Sequence, residues 1–395
     1  MADPWLTIVG IGEDGPSGLG DASRSAINGA EVVFGGLRHL NLARAGDRGH
    51  PWPIPFSIEP VLALRGQRVV VLVSGDPFWF GAGSTLAQAL TPGEWRALPA
   101  PSSFALATAR MGWRLEDTLC LGLHAAPFER LRPVLSPGRQ IIATLRDGAA
   151  PAALADWLVT QGFGDSAVTV LQALGGPREA VLTATAADLG ARNFEAPVAI
   201  AIAAAGAPGL PATPGLPSDL FASDGQITKP PMRALTLAAL APRAGQCLWD
   251  IGAGSGSVSV EWALAAPRAT AHALETRADR LDNIRENAAR FGLDHRITAH
   301  HATAPQGVDA LPTPDAIFVG GGANNDLLTK LWDRLPTGAR LVANAVTLET
   351  EALLMRWHQA KGGQLLRIDI AEAAPLGRMQ GWTPARPQLQ WAVTR

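Results

Sequence analysis

Short, almost wholly apolar runs alternate along the chain with longer segments of helical periodicity. In the first half these runs read LTIVG, VVVLVSG, TLCLGLH, QIIATLR and PVAIAIAA. In the second half they read CLWDIGAG, TAHALET, RITAHHA, DAIFVGG, RLVANAV and LQWAVTR. Strands this continuously apolar are typical of largely parallel sheets that are covered by helices on both faces. The pattern therefore predicts α/β folds in both halves.

A segment rich in proline and glycine separates the two series of strands. It reads AGAPGLPATPGLPSDL, and such a composition propagates neither a helix nor a sheet. We therefore predict a first domain over 1–205, a linker over 206–222 and a second domain over 223–395.

Composition excludes several kinds of partner. The chain has 395 residues, and its 33 basic and 35 acidic residues give no surplus of positive charge for nucleic acid. Its two cysteines, Cys120 and Cys247, build no disulfide framework and fit a reducing compartment. The first residues lack the pattern of a signal peptide, and no apolar stretch is long enough to span a bilayer. We expect a soluble cytoplasmic protein without a membrane partner, and the sequence leaves homo-oligomer formation open.

The first strand runs into a glycine motif, LTIVGIGEDGPSGL, which has the spacing of a dinucleotide-binding turn. Such a site needs a helix that begins on the motif and an acidic residue at the end of the second strand. Here Pro16 delays the helix until about Asp21, and the second strand, VVF, ends in two glycines. The context disfavours NAD, and an NAD-dependent oxidoreductase is kept as an alternative.

Two more motifs follow strands in this half: S-G-D-P-x-x-x-G over 74–81, and paired serines at 102 and 103 before a predicted helix. Ligands of open α/β sheets bind at the carboxyl ends of strands. Gly75 allows close approach to a ligand, and Pro77 stiffens the turn. The alternative is an ordinary turn in which Asp76 caps the next helix.

With the first glycine motif, these segments make residues 4–205 resemble the tetrapyrrole methylases, which methylate ring carbons with S-adenosylmethionine. The resemblance implies a fold of two α/β subdomains. It also implies that the cofactor is bound by Gly10, Gly12, Ser74, Gly75, Asp76, Pro77, Gly81, Ser102 and Ser103.

The second half has its own glycine motif, D-I-G-A-G-S-G, between a strand and a helix. Gly254 lies at its centre, and Glu275 ends the next strand, where a carboxylate can accept hydrogen bonds from a ribose diol. Asp250 before the first glycine, together with the G-x-G-x-G spacing, favours S-adenosylmethionine over NAD.

This half resembles the Rossmann-like methyltransferases, and among them the decarboxylating precorrin methyltransferases of cobalamin biosynthesis. The segments ITKPPMRALTLAAL, PDAIFVGGGAN and ARLVANAVTLETE carry the resemblance. Thr303 stands where that family often has an acid, so the backbone at Ala304 is the expected adenine contact. The implied cofactor-binding residues are Thr228, Asp250, Gly252, Ala253, Gly254, Ser255, Gly256, Glu275 and Ala304.

Methyl transfer from a sulfonium to an electron-rich carbon requires mainly orientation and the exclusion of water. The candidate catalytic residues are Asn324 and Arg378. Trp79 and Trp382 are candidates for stacking on a macrocycle, and Arg386 for binding its carboxylates. Segment 375–388 is interpreted as a loop between the last two strands, either for substrate or simply solvated.

No metal site is predicted. His295, His300 and His301 cluster around one predicted strand, but no third or fourth convergent ligand accompanies them. We interpret these histidines as surface or strand-end residues.

The ordered pair of halves resembles a fusion of the two methylase families. It implies two S-adenosylmethionine molecules per turnover, one in each domain. It further implies methylation of precorrin-6B at C5 by the first half, and decarboxylation with methylation at C15 by the second, giving precorrin-8X. A tetrapyrrole- or S-adenosylmethionine-binding regulatory protein is the non-enzymatic alternative.

Overall fold

The computed structural model describes residues 4–395. Internal contacts divide the chain into two compact units. The first extends to Phe128 and resumes over Leu135–Pro208; the second comprises Glu129–Val134 and Gly209–Arg395. None of the helices in the described part of the chain is both long enough and apolar enough to cross a bilayer.

The first sheet of the first unit is wholly parallel, with strand order β3-β2-β4-β1-β5. Its central strands are apolar and buried on both faces, as their composition predicts. The strands are β1 (Leu6–Ile11), β2 (Val32–Gly35), β3 (Gly49–Pro51), β4 (Val69–Ser74) and β5 (Trp95–Leu98). The helices of this part are α1 (Asp21–Gly29), α2 (Leu37–Leu42), α3 (Glu59–Leu62), α4 (Gly83–Ala89) and α5 (Ser103–Met111).

The second sheet of this unit is mixed, with order β6-β7-β10-β8-β9. Its elements are β6 (Leu119–Gly122), β7 (Gln140–Thr144), α6 (Ala150–Thr160), β8 (Ala167–Gln172), β9 (Ala180–Thr185) and β10 (Val198–Ala203). Strand β10 lies between β7 and β8 and is antiparallel to both. The prediction of largely parallel sheets is wrong here, because a continuous apolar run reports burial on both faces and does not report strand direction.

The second unit is a seven-stranded sheet of order β13-β12-β11-β14-β15-β19-β16. Its first five strands are parallel, and β19 runs antiparallel to both of its neighbours. The strands are β11 (Cys247–Ile251), β12 (Thr270–Glu275), β13 (Ile297–His301), β14 (Ala316–Val319), β15 (Arg340–Ala345), β16 (Gln364–Ile368) and β19 (Gln388–Thr394). The helices are α7 (Pro230–Leu240), α8 (Ser257–Ala265), α9 (Ala278–Arg290), α10 (Asn325–Arg334) and α11 (Leu348–Lys361).

Strand order reverses between β11 and β14 in this sheet. Such a switch point opens a crevice at the carboxyl ends of the two strands, which is where open α/β sheets bind ligands. Fully buried tryptophans at 249, 262 and 391 fill the layers on either side of the sheet. The second unit therefore presents the carboxyl end of β11, with its glycine motif, at the ligand-binding edge.

Segment 375–388 is not the predicted loop. Most of it belongs to an antiparallel hairpin of β17 (Ala371–Leu376) and β18 (Met379–Pro384). The hairpin escaped prediction because its residues are nearly all exposed and lack the apolar alternation of a half-buried strand.

The proline- and glycine-rich segment packs against the second unit. Leu216 and Phe221 are 2% and 5% exposed and belong to that unit's core. Its backbone amides at Gly215 and Leu216 donate to the carboxylate of Glu261, with N–O distances of 2.7 and 2.9 Å. This part of the segment is therefore fixed by a buried acid.

Candidate functional sites

A cavity of about 440 Å³ lies in the first unit, beside the carboxyl ends of β1 and β4. This volume falls in the range of small-molecule sites, which bury most of a ligand against apolar walls. Apolar side chains such as Leu72, Phe104 and Leu171 line it. Seven of the predicted residues also line it: Gly12, Ser74, Gly75, Trp79, Gly81, Ser102 and Ser103.

Close backbone packing explains two of the glycines in this unit. A Cβ atom at Gly10 would overlap the carbonyl oxygen of Gly75. Gly75 has a φ of +55°, and a Cβ atom there would lie 2.6 Å from the carbonyl oxygen of Pro101. Both positions thus require glycine so that the turns after β1, β4 and β5 can meet.

Three predicted cofactor residues, Gly10, Asp76 and Pro77, are not among the described residues that line the cavity. The Asp76 carboxylate accepts a hydrogen bond from the backbone N of Phe78 at 2.8 Å. The carbonyl of Pro77 accepts from the backbone N of Gly83 at 3.0 Å. In the structure these residues shape the turn that places Ser74 and Gly75 at the cavity.

Aromatic side chains cover one side of the cavity. Trp79, which we predicted to contact substrate, stacks on Phe104 with ring centroids 5.0 Å apart and is 36% exposed. Phe80 also packs against Phe104 and has a φ of +57°, a conformation that a bulky side chain rarely adopts. Strain of this kind is most often found at functional sites.

A charged network at the cavity was missed by sequence reasoning. The buried Glu13 forms ion pairs with Arg38 and with Arg178, the latter at 3.0 Å. Arg38 also donates to the hydroxyl of Ser74 at 2.9 Å, and the Nε2 of His39 lies 2.8 Å from that hydroxyl. The only signal was the placement of Arg38 and His39 just after the glycines that end the second strand, where we had sought an acidic residue.

His39 makes stability depend on pH. Burial, and then the positive charge of Arg38, lower the pKa of this histidine to about 4. The unfolded chain, with an ordinary pKa near 6.5, binds the proton first, so stability is complete above that pH and is lost as pH falls toward 4. In His39→Gln this titrating group is absent. We therefore expect the acid-induced decrease in the free energy of unfolding to be smaller by on the order of 3 kcal/mol, measured by urea unfolding at several pH values. The exposed His50→Gln is the control, and an unchanged pH slope in His39→Gln would contradict the expectation.

The second site is the turn after β11. Gly252, Gly254 and Gly256 all have left-handed backbones, with φ of +67°, +59° and +72°. A Cβ atom at Gly252 or Gly256 would press on Gly321 or Ile284, at 3.0 and 3.1 Å. At Gly254 it would meet only the carbonyl oxygen of Gln226, at 3.9 Å. Gly254 therefore borders open space, as a ligand contact should.

Two buried acids flank this turn. Glu275, 6% exposed, accepts from the backbone N of Gly254 at 2.9 Å, and its other oxygen accepts from the backbone N of Thr276 at 2.8 Å. Asp250 is fully buried, and burial raises its pKa to about 6. One oxygen of Asp250 accepts from Ser259 at 2.6 Å, and the other has no hydrogen-bond partner among the described residues. An orphaned buried acceptor and open space at Gly254 fit a bound ligand with hydrogen-bond donors.

We expect Glu275→Ala to weaken binding of S-adenosylmethionine to the second unit by about 1.5–3 kcal/mol, the usual contribution of hydrogen bonds to a charged group. Glu275→Gln, which keeps one acceptor oxygen, should lose less, and the exposed Glu349→Ala should lose nothing. Calorimetry on the full chain measures the effect. An unchanged affinity in Glu275→Ala would show that Glu275 only accepts backbone hydrogen bonds at the end of β12 and does not contribute to cofactor binding.

A buried ion pair fixes the segment that precedes α7. Arg233 is 0% exposed and donates to Glu261 at 2.6 Å. Its remaining nitrogens donate to the carbonyl oxygens of Leu216 and Thr228, the latter at 2.5 Å. This hydrogen bond fixes the backbone at Thr228, a predicted cofactor residue. Thr228 comes two residues after Gln226, whose carbonyl oxygen lies beside Gly254.

Four more of the predicted residues belong to the second unit: Ala253, Ser255, Ala304 and Asn324. Ala253 follows the turn's first glycine, and Ser255 is buried with its carbonyl accepting from Asn287 at 2.8 Å. Ala304, three residues after the end of β13, is partly buried and packs against the core. Asn324 is exposed, and its side chain caps α10 by accepting from the backbone N of Leu327 at 2.9 Å.

The remaining candidates lie on the hairpin and its exit. Arg378 is at the turn between β17 and β18, Trp382 is on β18 and is 76% exposed, and Arg386 follows the hairpin. The hairpin is a separate two-stranded sheet, outside the seven-stranded sheet that carries the glycine turn.

The histidines of β13 are accounted for by local hydrogen bonds. The side chain of His300 is 2.9 Å from that of His272, and His301 is 2.8 Å from the carbonyl of Thr276. His295 lies beside Asp294. Among residues 4–395, no three His, Cys, Asp or Glu side chains are grouped so that they could hold a metal ion.

Comparison with known proteins assigns a class to each unit. Residues 5–190 match the family model of tetrapyrrole (corrin/porphyrin) methylases, and residues 219–395 match that of the precorrin methyltransferase domain. These two matches define a tetrapyrrole methyltransferase with a methylase domain in each half of the chain.

Relatives over the full length narrow the class. The chain is 48% identical to a precorrin-6Y C(5,15)-methyltransferase (decarboxylating) of Sinorhizobium sp, covering 100% of this chain and 97% of the relative. It is 40% identical to the protein of that name from Mycobacterium tuberculosis, covering 99% of this chain and 100% of the relative. One solved structure is similar to part of the chain only. It is the C-terminal domain of a Rhodobacter capsulatus precorrin-6Y C5,15-methyltransferase, which is 58% identical, covers 47% of this chain and 100% of that chain, and has a TM-score of 0.46.

The chain belongs to the family of decarboxylating precorrin-6Y C5,15-methyltransferases. The prediction of an S-adenosylmethionine-dependent methyltransferase with decarboxylase activity, acting on a tetrapyrrole in cobalamin biosynthesis, is confirmed. Nothing supports the alternatives of an oxidoreductase or a regulatory protein.

Proposed function

We propose that the two domains divide the reaction, with one S-adenosylmethionine bound in each. The first, over 1–205, methylates precorrin-6B at C5. The second, over 223–395, decarboxylates a ring acetate and methylates C15, giving precorrin-8X. The segment 206–222 joins them. The two cysteines form no disulfide, which fits a cytoplasmic enzyme.

One observation carries this proposal: each unit has its own candidate ligand site at the carboxyl ends of its parallel strands. The first is the cavity beside Ser74 and Gly75, and the second is the turn around Gly254 with its acid Glu275. A relative named for C(15)-methylation and decarboxylation alone, from Pyrobaculum calidifontis, is 36% identical over 35% of this chain. Its name supports a separable unit for that half of the reaction.

The protein's contribution to the chemistry is positioning. S-Adenosylmethionine supplies an activated methyl group when it is bound. In the second unit the proposed ribose acceptor is Glu275, which lies beside Gly254, and Gly254 borders open space next to the backbone. In the first unit the apolar walls of the cavity exclude water from the transfer.

Decarboxylation places few demands on the side chains of the protein. When carbon dioxide leaves the ring acetate, the electron pair of the broken C–C bond can pass into the conjugated macrocycle, and a proton then completes the methyl group. The protein must hold the acetate so that the breaking bond stays aligned with the conjugated system.

The variant Asp76→Ala tests the assignment of the first domain. Loss of the hydrogen bond to Phe78 should loosen the turn that presents Ser74 and Gly75, and methylation at C5 should fall about tenfold, on the scale of one lost hydrogen bond to a charged group. Decarboxylation and methylation at C15 should continue. Mass spectrometry separates these outcomes, because loss of carbon dioxide and gain of a methyl group shift the mass in opposite directions.

The matched control is Asp21→Ala, since the Asp21 side chain is 96% exposed in the same unit. A folded Asp76→Ala protein whose product keeps its acetate carboxyl would reverse the assignment of the two domains.

A further inference from the structure

The cavity of the first unit carries a charged wall that neither the family nor the glycine motifs explain. Glu13, Arg38, His39 and Ser74 all line it: Glu13 follows β1, Arg38 and His39 lie on α2, and Ser74 ends β4. The rest of the lining is largely apolar or backbone. In ligand sites of this kind a small number of placed polar groups fix the orientation of the ligand.

The side chain of Arg38 is held rigidly by this wall. Glu13, whose side chain is 6% exposed, pairs with one of its terminal nitrogens, and the other donates to the Ser74 hydroxyl at 2.9 Å. Glu13 packs closely on Gly176, where an added Cβ atom would lie 2.5 Å from the Cβ of Glu13. The guanidinium is thus fixed in place, while its side chain remains 36% exposed at the cavity.

One buried carboxylate serves two arginines at this wall. The single buried carboxylate of Glu13 is shared between Arg38 and Arg178. Arg178 has a second partner, Glu195, but that carboxylate is 58% exposed and is screened by water. Burial and the charge of Arg178 lower the pKa of Arg38, as expected for a cation that faces another cation. The buried carboxylate of Glu13 is thus only partly available to Arg38, which faces the cavity beside the Ser74 hydroxyl.

We propose that Arg38, together with Ser74, binds a carboxylate of the molecule that occupies this cavity. A fixed guanidinium with an adjacent hydroxyl matches the geometry of a carboxylate and complements its charge. Two ligands of the reaction carry such a group: the amino-acid end of the methyl donor, and the acetate and propionate chains of the tetrapyrrole. The inference rests on the proposed methylation site in the first domain.

The test is steady-state kinetics of the full chain, with methylation at C5 and at C15 scored separately by product mass. Arg38→Met should raise one KM about ten- to a hundredfold, since it removes a charge-assisted hydrogen bond. A rise in the KM for S-adenosylmethionine assigns the carboxylate to the donor, and a rise in the KM for precorrin assigns it to the substrate. Arg38→Lys, which keeps the charge, should recover part of the loss.

Arg68→Met is the matched control, because Arg68 is 74% exposed and pairs with Glu31 in the same unit. If Arg38→Met leaves Glu13 with Arg178 as its sole ion-pair partner among the described residues and unfolds the protein, the double variant Glu13→Gln with Arg38→Met removes the buried charge and restores the test. A folded variant with both KM values within twofold of the wild type overturns the proposal. A KM change confined to methylation at C15 would instead keep the carboxylate site and reject the division of the reaction between the domains.

Discussion

Replacing Gly254 by arginine is expected to stop methylation at C15 while methylation at C5 continues. A Cβ atom at this position would meet only the carbonyl of Gln226 at 3.9 Å, so the arginine side chain would extend into the space reserved for the ligand. We expect the rate of C15 methylation to fall by more than about a hundredfold, since the loss of binding exceeds one charge-assisted hydrogen bond. Product mass after incubation with precorrin-6B measures it.

Two controls separate ligand exclusion from backbone strain. Gly254→Ala carries the same cost of a left-handed backbone, about 1–2 kcal/mol, but leaves most of the space open, and should retain much of the activity. Gly338→Arg also replaces a glycine that has a left-handed backbone and borders open space in the second unit, outside the turn after β11. It should leave both methylations intact. Equal loss at C5 and C15 in Gly254→Arg would contradict separate sites.

Arg233→Met is expected to destabilise the second unit by about 3–5 kcal/mol, the typical cost of breaking a buried ion pair. The change leaves Glu261 charged at 2% exposure, with only the amides of Gly215 and Leu216 as partners. It also frees the carbonyl of Thr228, so the affinity of this unit for S-adenosylmethionine should fall as well. Chemical denaturation and calorimetry on the full chain give the two values.

The control for this prediction is Arg285→Met, which removes an exposed pair with Asp282 and should cost about 1 kcal/mol or less. The double variant Arg233→Met with Glu261→Gln should be less destabilised than Arg233→Met alone, because no unpaired charge remains. A single variant as stable as Arg285→Met would show that the pair does not hold the segment before α7.

Much of the fold follows from the apolar runs, because a parallel sheet buried on both faces leaves strands with few polar positions. The central strands β1, β4, β11, β14 and β15 all lie where those runs predict them. The direction of β10 was not predictable in this way, since it depends on which neighbours the strand joins. The exposed hairpin of β17 and β18 offers no burial pattern at all.

The candidate sites, like the fold, could be predicted only in part from the sequence. Glycines 252, 254 and 256 are recognisable because a left-handed turn leaves a compositional mark in one short segment. The ion pair of Glu13 with Arg178 joins residues 165 positions apart, and no local period records such a pairing. Arg233 was missed because an arginine within a helix normally implies an exposed face. Here Arg233 is buried in the core, where it pairs with Glu261, a buried acid on α8.

The central claim is that one chain holds two methyl-donor sites, and its most direct test is the number of S-adenosylmethionine molecules bound per chain. Equilibrium dialysis of the labelled cofactor against the full-length protein should give two in the wild type and one in Gly254→Arg. A wild-type value of one, in protein shown to be fully folded, would contradict the account.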